Sequence, residues 1–154
     1  MSTAPTSWGP PRLAAAAVLL VAAGAASAAE YRSLGDRPAV LYDAPSGKAD
    51  RLFVASRRYP FEILVKLDHW TKVRDANGEV AWVENKALGD QATVLVTVPL
   101  ADVRASPSPQ APLVFEAYKH VLLELLEAPV DGWAKVRHRD GQEGFIRAAH
   151  LWGV

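Results

Sequence analysis

The stretch WTKVRDANGEVAWVENKAL, from Trp70 to Leu88, returns without a gap as WAKVRHRDGQEGFIRAAHL, from Trp133 to Leu151, at a constant spacing of 63 residues. Six positions are identical: Trp70/Trp133, Lys72/Lys135, Val73/Val136, Arg74/Arg137, Gly78/Gly141 and Leu88/Leu151. Unrelated segments of ordinary composition share about one. Trp82/Phe145 and Val83/Ile146 keep their character. Upstream the spacing is 62, pairing Pro45-Ser46 with Pro107-Ser108, Phe53 with Phe115, Ala55 with Ala117, Arg57-Arg58 with Lys119-His120, and Glu62 with Glu124. The change of spacing falls between Glu62 and Trp70, in a segment read as a turn, where an inserted residue is tolerated. Such a chain is expected to fold as two copies of one small unit, 34–88 and 92–154, joined by the short run Gly89 to Thr93. Two copies make a duplication rather than a solenoid.

Each copy alternates short apolar runs with turn residues and shows no sustained helical period, which predicts an all-β unit. In the second copy strands are expected over Thr93 to Val98, Leu113 to Ala117, Val121 to Glu127, Trp133 to His138 and Glu143 to Ile146. ADVRASPSPQAP, rich in Pro and Ser, reads as one long loop. Asn77-Gly78 and Asp140-Gly141 supply the positive φ that tight hairpin turns need. The run VLLELLEA is rich in helix formers, but Pro129 follows at once and the run aligns with YPFEILVK. It is therefore read as a strand, buried on both faces. Thr93 to Val98 is apolar on both faces too, and a small barrel buries only one, so the two units are expected to dock.

The second copy resembles bacterial SH3 domains, the small barrels of exported and cell-wall proteins. LADVRASPSPQAPLVFEAYKHVLLELLE is similar to that family's opening, with Lys119-His120 at its basic turn, and GWAKVRHRDGQEGFIRAAHL to its close. The first copy departs at Tyr42-Asp43-Ala44-Pro45 and at Ala81, which stands where the second has Gly144. The resemblance implies two tandem SH3-like small β-barrels, packed together, that bind and do not catalyse. Glu84 and Arg147 stand where eukaryotic SH3 domains carry a proline that shapes their groove for proline-rich peptides.

Residues 1–28 have the order of parts of a cleavable signal peptide: Arg12, an apolar run from Leu13 to Ala26 too short to span a bilayer comfortably, then Ala26-Ser27-Ala28 before Ala29. The destination implied is the periplasm or beyond, with no stable membrane insertion after cleavage. The whole chain balances 17 Lys+Arg against 17 Asp+Glu, and without Arg12 the remainder carries 16 against 17. Such a charge gives no general attraction for polyanions, which argues against nucleic acid as a partner. With no cysteine, the chain has no disulfide, no thiol chemistry and no lipidated cysteine.

Catalytic chemistry finds little to use. His69, His120, His138 and His150 lack metal-site spacing, and Ser106 and Ser108 sit in the proline-rich run without an evident base. No metal, cofactor or enzymatic activity is expected. The recurring aromatics and basic turns carry more information. Trp70 and Trp133 are read first as rings closing the open end of each barrel, with lining of a groove as the alternative. A ligand groove would gather Tyr42, Arg57 and Trp70 in the first copy and Arg104, Tyr118, Lys119 and Trp133 in the second. The expected ligand is an envelope protein or peptide. Peptidoglycan is the first alternative, and a structural role in an envelope complex the second.

Overall fold

The computed structural model describes residues 1, 3 and 28–154, so the segment read as an export leader lies almost wholly outside the described residues. The first sheet holds β1 (Tyr31–Ser33), β2 (Ala39–Tyr42), β3 (Arg51–Ala55), β4 (Pro60–Lys66), β5 (Trp70–Arg74) and β6 (Val80–Glu84) in the order β1-β4-β5-β6-β2-β3. The second holds β7 (Thr93–Val96), β8 (Leu100–Arg104), β9 (Leu113–Tyr118), β10 (Leu122–Val130), β11 (Trp133–Arg137), β12 (Glu143–Arg147) and β13 (Leu151–Trp152) in the order β13-β7-β10-β11-β12-β8-β9. Every named pairing is antiparallel, and the fold is all-β with two SH3-like units. A single 3-10 turn, Asn85–Ala87 or Ala148–His150, follows β6 and β12.

The repeat survives at the level of single hydrogen bonds. Leu34 N–H donates to the Tyr59 carbonyl at 3.0 Å, and Val96 N–H to that of Val121 at 3.0 Å. In the turns after β5 and β11, the N–H of Gly78 reaches the Asp75 carbonyl and that of Gly141 the His138 carbonyl, at 3.1 and 2.9 Å. Both glycines have positive φ, 89° and 95°, as their turns require. Arg58 and His120 also share a left-handed backbone, with φ of 60° and 72°, at the basic turn that the sequence pairs. Arg74 bonds Glu62 at 2.9 Å, and Arg137 bonds Glu124 at 2.9 Å.

Alternation along each strand explains two small cores. Leu34, Leu41, Phe61, Val73, Ala81 and Val83 fill the first, and Val94, Val96, Val103, Leu123, Val136 and Ile146 the second. Removing such side chains from water is worth about 25 cal/mol per Å² of apolar area. Ala81 fits in the first unit. At Gly144, by contrast, a Cβ would meet the Arg104 carbonyl oxygen and Val103 Cγ1 at 2.7 Å, so β8 and β12 approach too closely for a side chain there.

Two expectations change. The run read as one long loop begins with a strand, because Leu100–Arg104 alternates: Ala101 and Val103 turn inward while Asp102 and Arg104 turn outward. Only residues 105–112 form the loop, and the proline-rich composition hid the period of two before it. The VLLELLEA run is a strand, but only Leu123 of it is fully buried. β10 continues past Pro129 because the register with β11 shifts between Glu127 and Val130, where a residue without an N–H costs no regular ladder bond.

The units are docked. Thr93, at the start of β7, has its N–H on Ser33 Oγ at 3.1 Å and its hydroxyl on the Arg58 carbonyl. That hydroxyl's single proton being committed, Ser33 Oγ is the donor in the 2.7 Å bond between the two side chains. Both residues are buried, so these bonds satisfy polar atoms removed from water.

Candidate binding surfaces

Inward Thr71, Val73, Ala81 and Val83 leave Trp70, Lys72, Trp82 and Glu84 on the outer face of the first sheet. Tyr42 pairs with Trp82 across β2 and β6, and its ring meets Trp70 edge to face at 5.3 Å and 90°. Lys72 Nζ stands 5.8 Å from the Trp82 ring. Glu84 lies opposite Trp70 and pairs with Lys86. This patch couples aromatic area with charges of both signs. Tyr42 is buried beneath it, while Trp70 and Trp82 are partly open.

The same positions in the second unit are cationic. Arg104 takes the place of Tyr42, Phe145 that of Trp82 and Arg147 that of Glu84. Arg147 lies 4.6 Å from the centre of the Trp133 ring and covers it, leaving Trp133 9% exposed. Arg104 donates to the Ala111 carbonyl at 2.8 Å and pairs with Asp102, which braces the 105–112 loop. Neither Trp70 nor Trp133 joins the two clusters of core side chains; both lie on outer faces, Trp133 buried and Trp70 partly open. The physical reason is strand parity, since Val73 and Val136, three residues on from each tryptophan, point inward.

The residues expected to line one groove per unit divide among separate places. Tyr42 and Trp70 meet, and Arg104 and Trp133 occupy the corresponding face of the second unit. Tyr118 is 69% exposed on edge strand β9. Arg57 and Lys119 line two clefts instead. The first, about 700 Å³, is walled by Asp36, Arg57 and Arg58 of the first unit and by His120, Glu124, Arg137, His138 and Arg139 of the second, with Val121 and Leu122 among its apolar lining. The second, about 480 Å³, includes Ser56, Tyr59 and Asn77 on one side and Leu95, Lys119 and His120 on the other.

A polar chain crosses beside the first cleft. Asp36 accepts from Arg58 Nε at 2.8 Å, Arg58 donates to the Gln91 side-chain oxygen, Gln91 donates to Glu124, and Glu124 accepts from Arg137 at 2.9 Å. The Arg137 bond holds the Glu124 carboxyl below the usual carboxylate range. Asp140 is lowered as well, by the Gln142 N–H and then by His138. Burial pushes the Tyr59 phenol up.

Sequence reasoning overlooked Gln91, Arg139 and Trp152. Gln91 lies in a linker that looked inert, and Trp152 has Gly89 as its counterpart, so a search for recurring residues passes over it. Nothing in the sequence marks Arg139. Among the described residues, no three or more His, Cys, Asp and Glu side chains gather to hold a metal ion, and no helix is long and apolar enough to cross a membrane.

Residues 35–90 and 97–153 each match the bacterial SH3 domain family. Similar solved structures include NlpC1 from Trichomonas vaginalis, at 19% identity and a TM-score of 0.38, covering 93% of this chain and 51% of that one. NlpC2 from Trichomonas vaginalis matches at 15% identity and 0.38, covering 81% and 48%. An NlpC/P60 family protein from Bacillus cereus matches at 17% identity and 0.36, covering 80% and 56%. This chain thus spans about half the length of those structures. No curated protein matches.

Proposed function

Since the chain belongs to the bacterial SH3 domain family, whose members are binding modules often related to the cell wall, we propose that it is a non-enzymatic module of the cell envelope that recognises a peptide segment of an envelope protein. The observation that carries this reading is the outer face of the first sheet, where Trp70 and Trp82 are partly open above buried Tyr42 and are flanked by Lys72 and Glu84. Rings of this kind supply contact area at small entropic cost, and the flanking charges fix orientation. The corresponding face around Trp133 and Arg104 contributes less aromatic area, because Arg147 already covers the indole. Export through the leader over 1–28, to the periplasm or outside the cell, belongs to the same proposal.

Recognition of peptidoglycan is the second reading, favoured by family membership. A photoreactive phenylalanine analogue placed at position 82 separates the two. Cross-linking in the envelope fraction, followed by mass spectrometry, yields a polypeptide adduct on the first reading and a glycan-bearing wall fragment on the second. Absence of any adduct at position 82, with the same analogue at exposed Val54 as reference, overturns both.

A further inference from the structure

The larger cleft between the units has a charge pattern that the outer-face patch does not explain. Its four arginines face two carboxylates, Asp36 and Glu124. Those carboxylates are spoken for: Asp36 pairs with Arg58 at 2.6 Å, and Glu124 with Arg137 at 2.9 Å. Arg57 from the first unit and Arg139 from the second remain, both exposed and neither in an ion pair among the described residues. The same lining is apolar at Val121 and Leu122 and includes His120, while His138 Nδ1 is bonded to Asp140 at 3.0 Å.

A surface arginine with no partner is ordinary by itself. Here two line one cavity from separate units, together with apolar Val121 and Leu122, and two ion pairs lie beside them. Guanidinium groups bind carboxylates through paired N–H donors, and a concave site strengthens that attraction relative to open water. Resting on the peptide-binding reading above, we infer that this cleft takes an acidic peptide with two carboxylates spaced about an apolar side chain. One carboxylate meets Arg57, the other meets Arg139, and the apolar side chain lies on Val121 and Leu122. The site exists only while the units are docked, which gives the tandem arrangement a use that neither barrel has alone.

The test titrates the full chain with two capped pentapeptides, Ala-Glu-Leu-Glu-Ala and its neutral analogue Ala-Gln-Leu-Gln-Ala. The acidic probe is expected to bind at least about tenfold more tightly, and Arg57→Gln or Arg139→Gln to lower its affinity roughly tenfold each. Both variants are expected to keep the wild-type melting temperature, since neither side chain is paired. Equal binding of the two probes, or wild-type affinity in either variant, overturns the assignment. Competition by inorganic phosphate at the concentration of the acidic probe also overturns it, because the cleft would then hold any anion. If the acidic probe fails while position 82 still captures polypeptide, the cleft assignment falls and the peptide-binding reading stands.

Discussion

The indole Nε1 of Trp152 donates to the carbonyl of Pro60 at 3.1 Å, tying the last strand of the second sheet to the first across 92 residues of chain. The ring also meets Tyr31 edge to face at 5.3 Å and 83°, so one side chain serves the docking both as donor and as apolar surface. Replacing Trp152 by Phe removes the N–H and keeps most of the ring, and is expected to cost about 1 kcal/mol. Replacement by Ala should cost about 3 kcal/mol. Denaturant unfolding measures both, and a Phe variant as stable as the wild type would show that the hydrogen bond contributes nothing.

Gly153, beside it, permits the close approach. Its φ is 106°, and a Cβ there would stand 2.9 Å from the Thr93 carbonyl oxygen and 3.1 Å from Pro60 Cβ. Gly153→Ala is expected to destabilise by about 2 kcal/mol or more, since strain and a backbone clash act together. Gly78→Ala, with positive φ but open space around it, should cost about 1 kcal/mol. The order of the two unfolding midpoints is the check.

The tyrosines separate surface from support. Tyr118 is 69% exposed, so Tyr118→Ala should change stability by less than about 0.5 kcal/mol. Tyr42, at 9%, carries Trp70, so Tyr42→Ala should cost about 3 kcal/mol and loosen the outer face. Thermal unfolding followed by tryptophan fluorescence reports both effects. The sequence presents the two as comparable groove residues; burial makes them unlike.

Glu124 gives the stability of the second unit a dependence on pH. Its carboxyl is held low in the folded state by the Arg137 hydrogen bond, so its contribution is fully present above the ordinary glutamate value of about 4.3. It is lost as pH falls through the lower folded value, where the carboxylate takes up a proton. The stability difference between the wild type and Glu124→Gln should therefore be constant near neutrality and shrink below about pH 4. A difference that persists unchanged at pH 3 would assign the effect to the Gln91 contact alone.

The duplication determined the architecture from the sequence alone, because a repeat that preserves strand parity, turn glycines and inward apolar positions has only one economical fold to repeat. The same reasoning reached the inter-unit packing through Thr93 to Val98, whose second apolar face no single barrel can bury. It could not decide which residues share a surface. Tyr42 and Arg57 stand 15 positions apart in one unit, yet the first lies under Trp70 while the second opens onto the cleft between units. Strand order and docking set that division, since they bring together residues that no local pattern relates. Trp152, Gly153, Gln91 and Arg139 acquire their contacts or place only there, at the one interface that a duplicated sequence does not repeat.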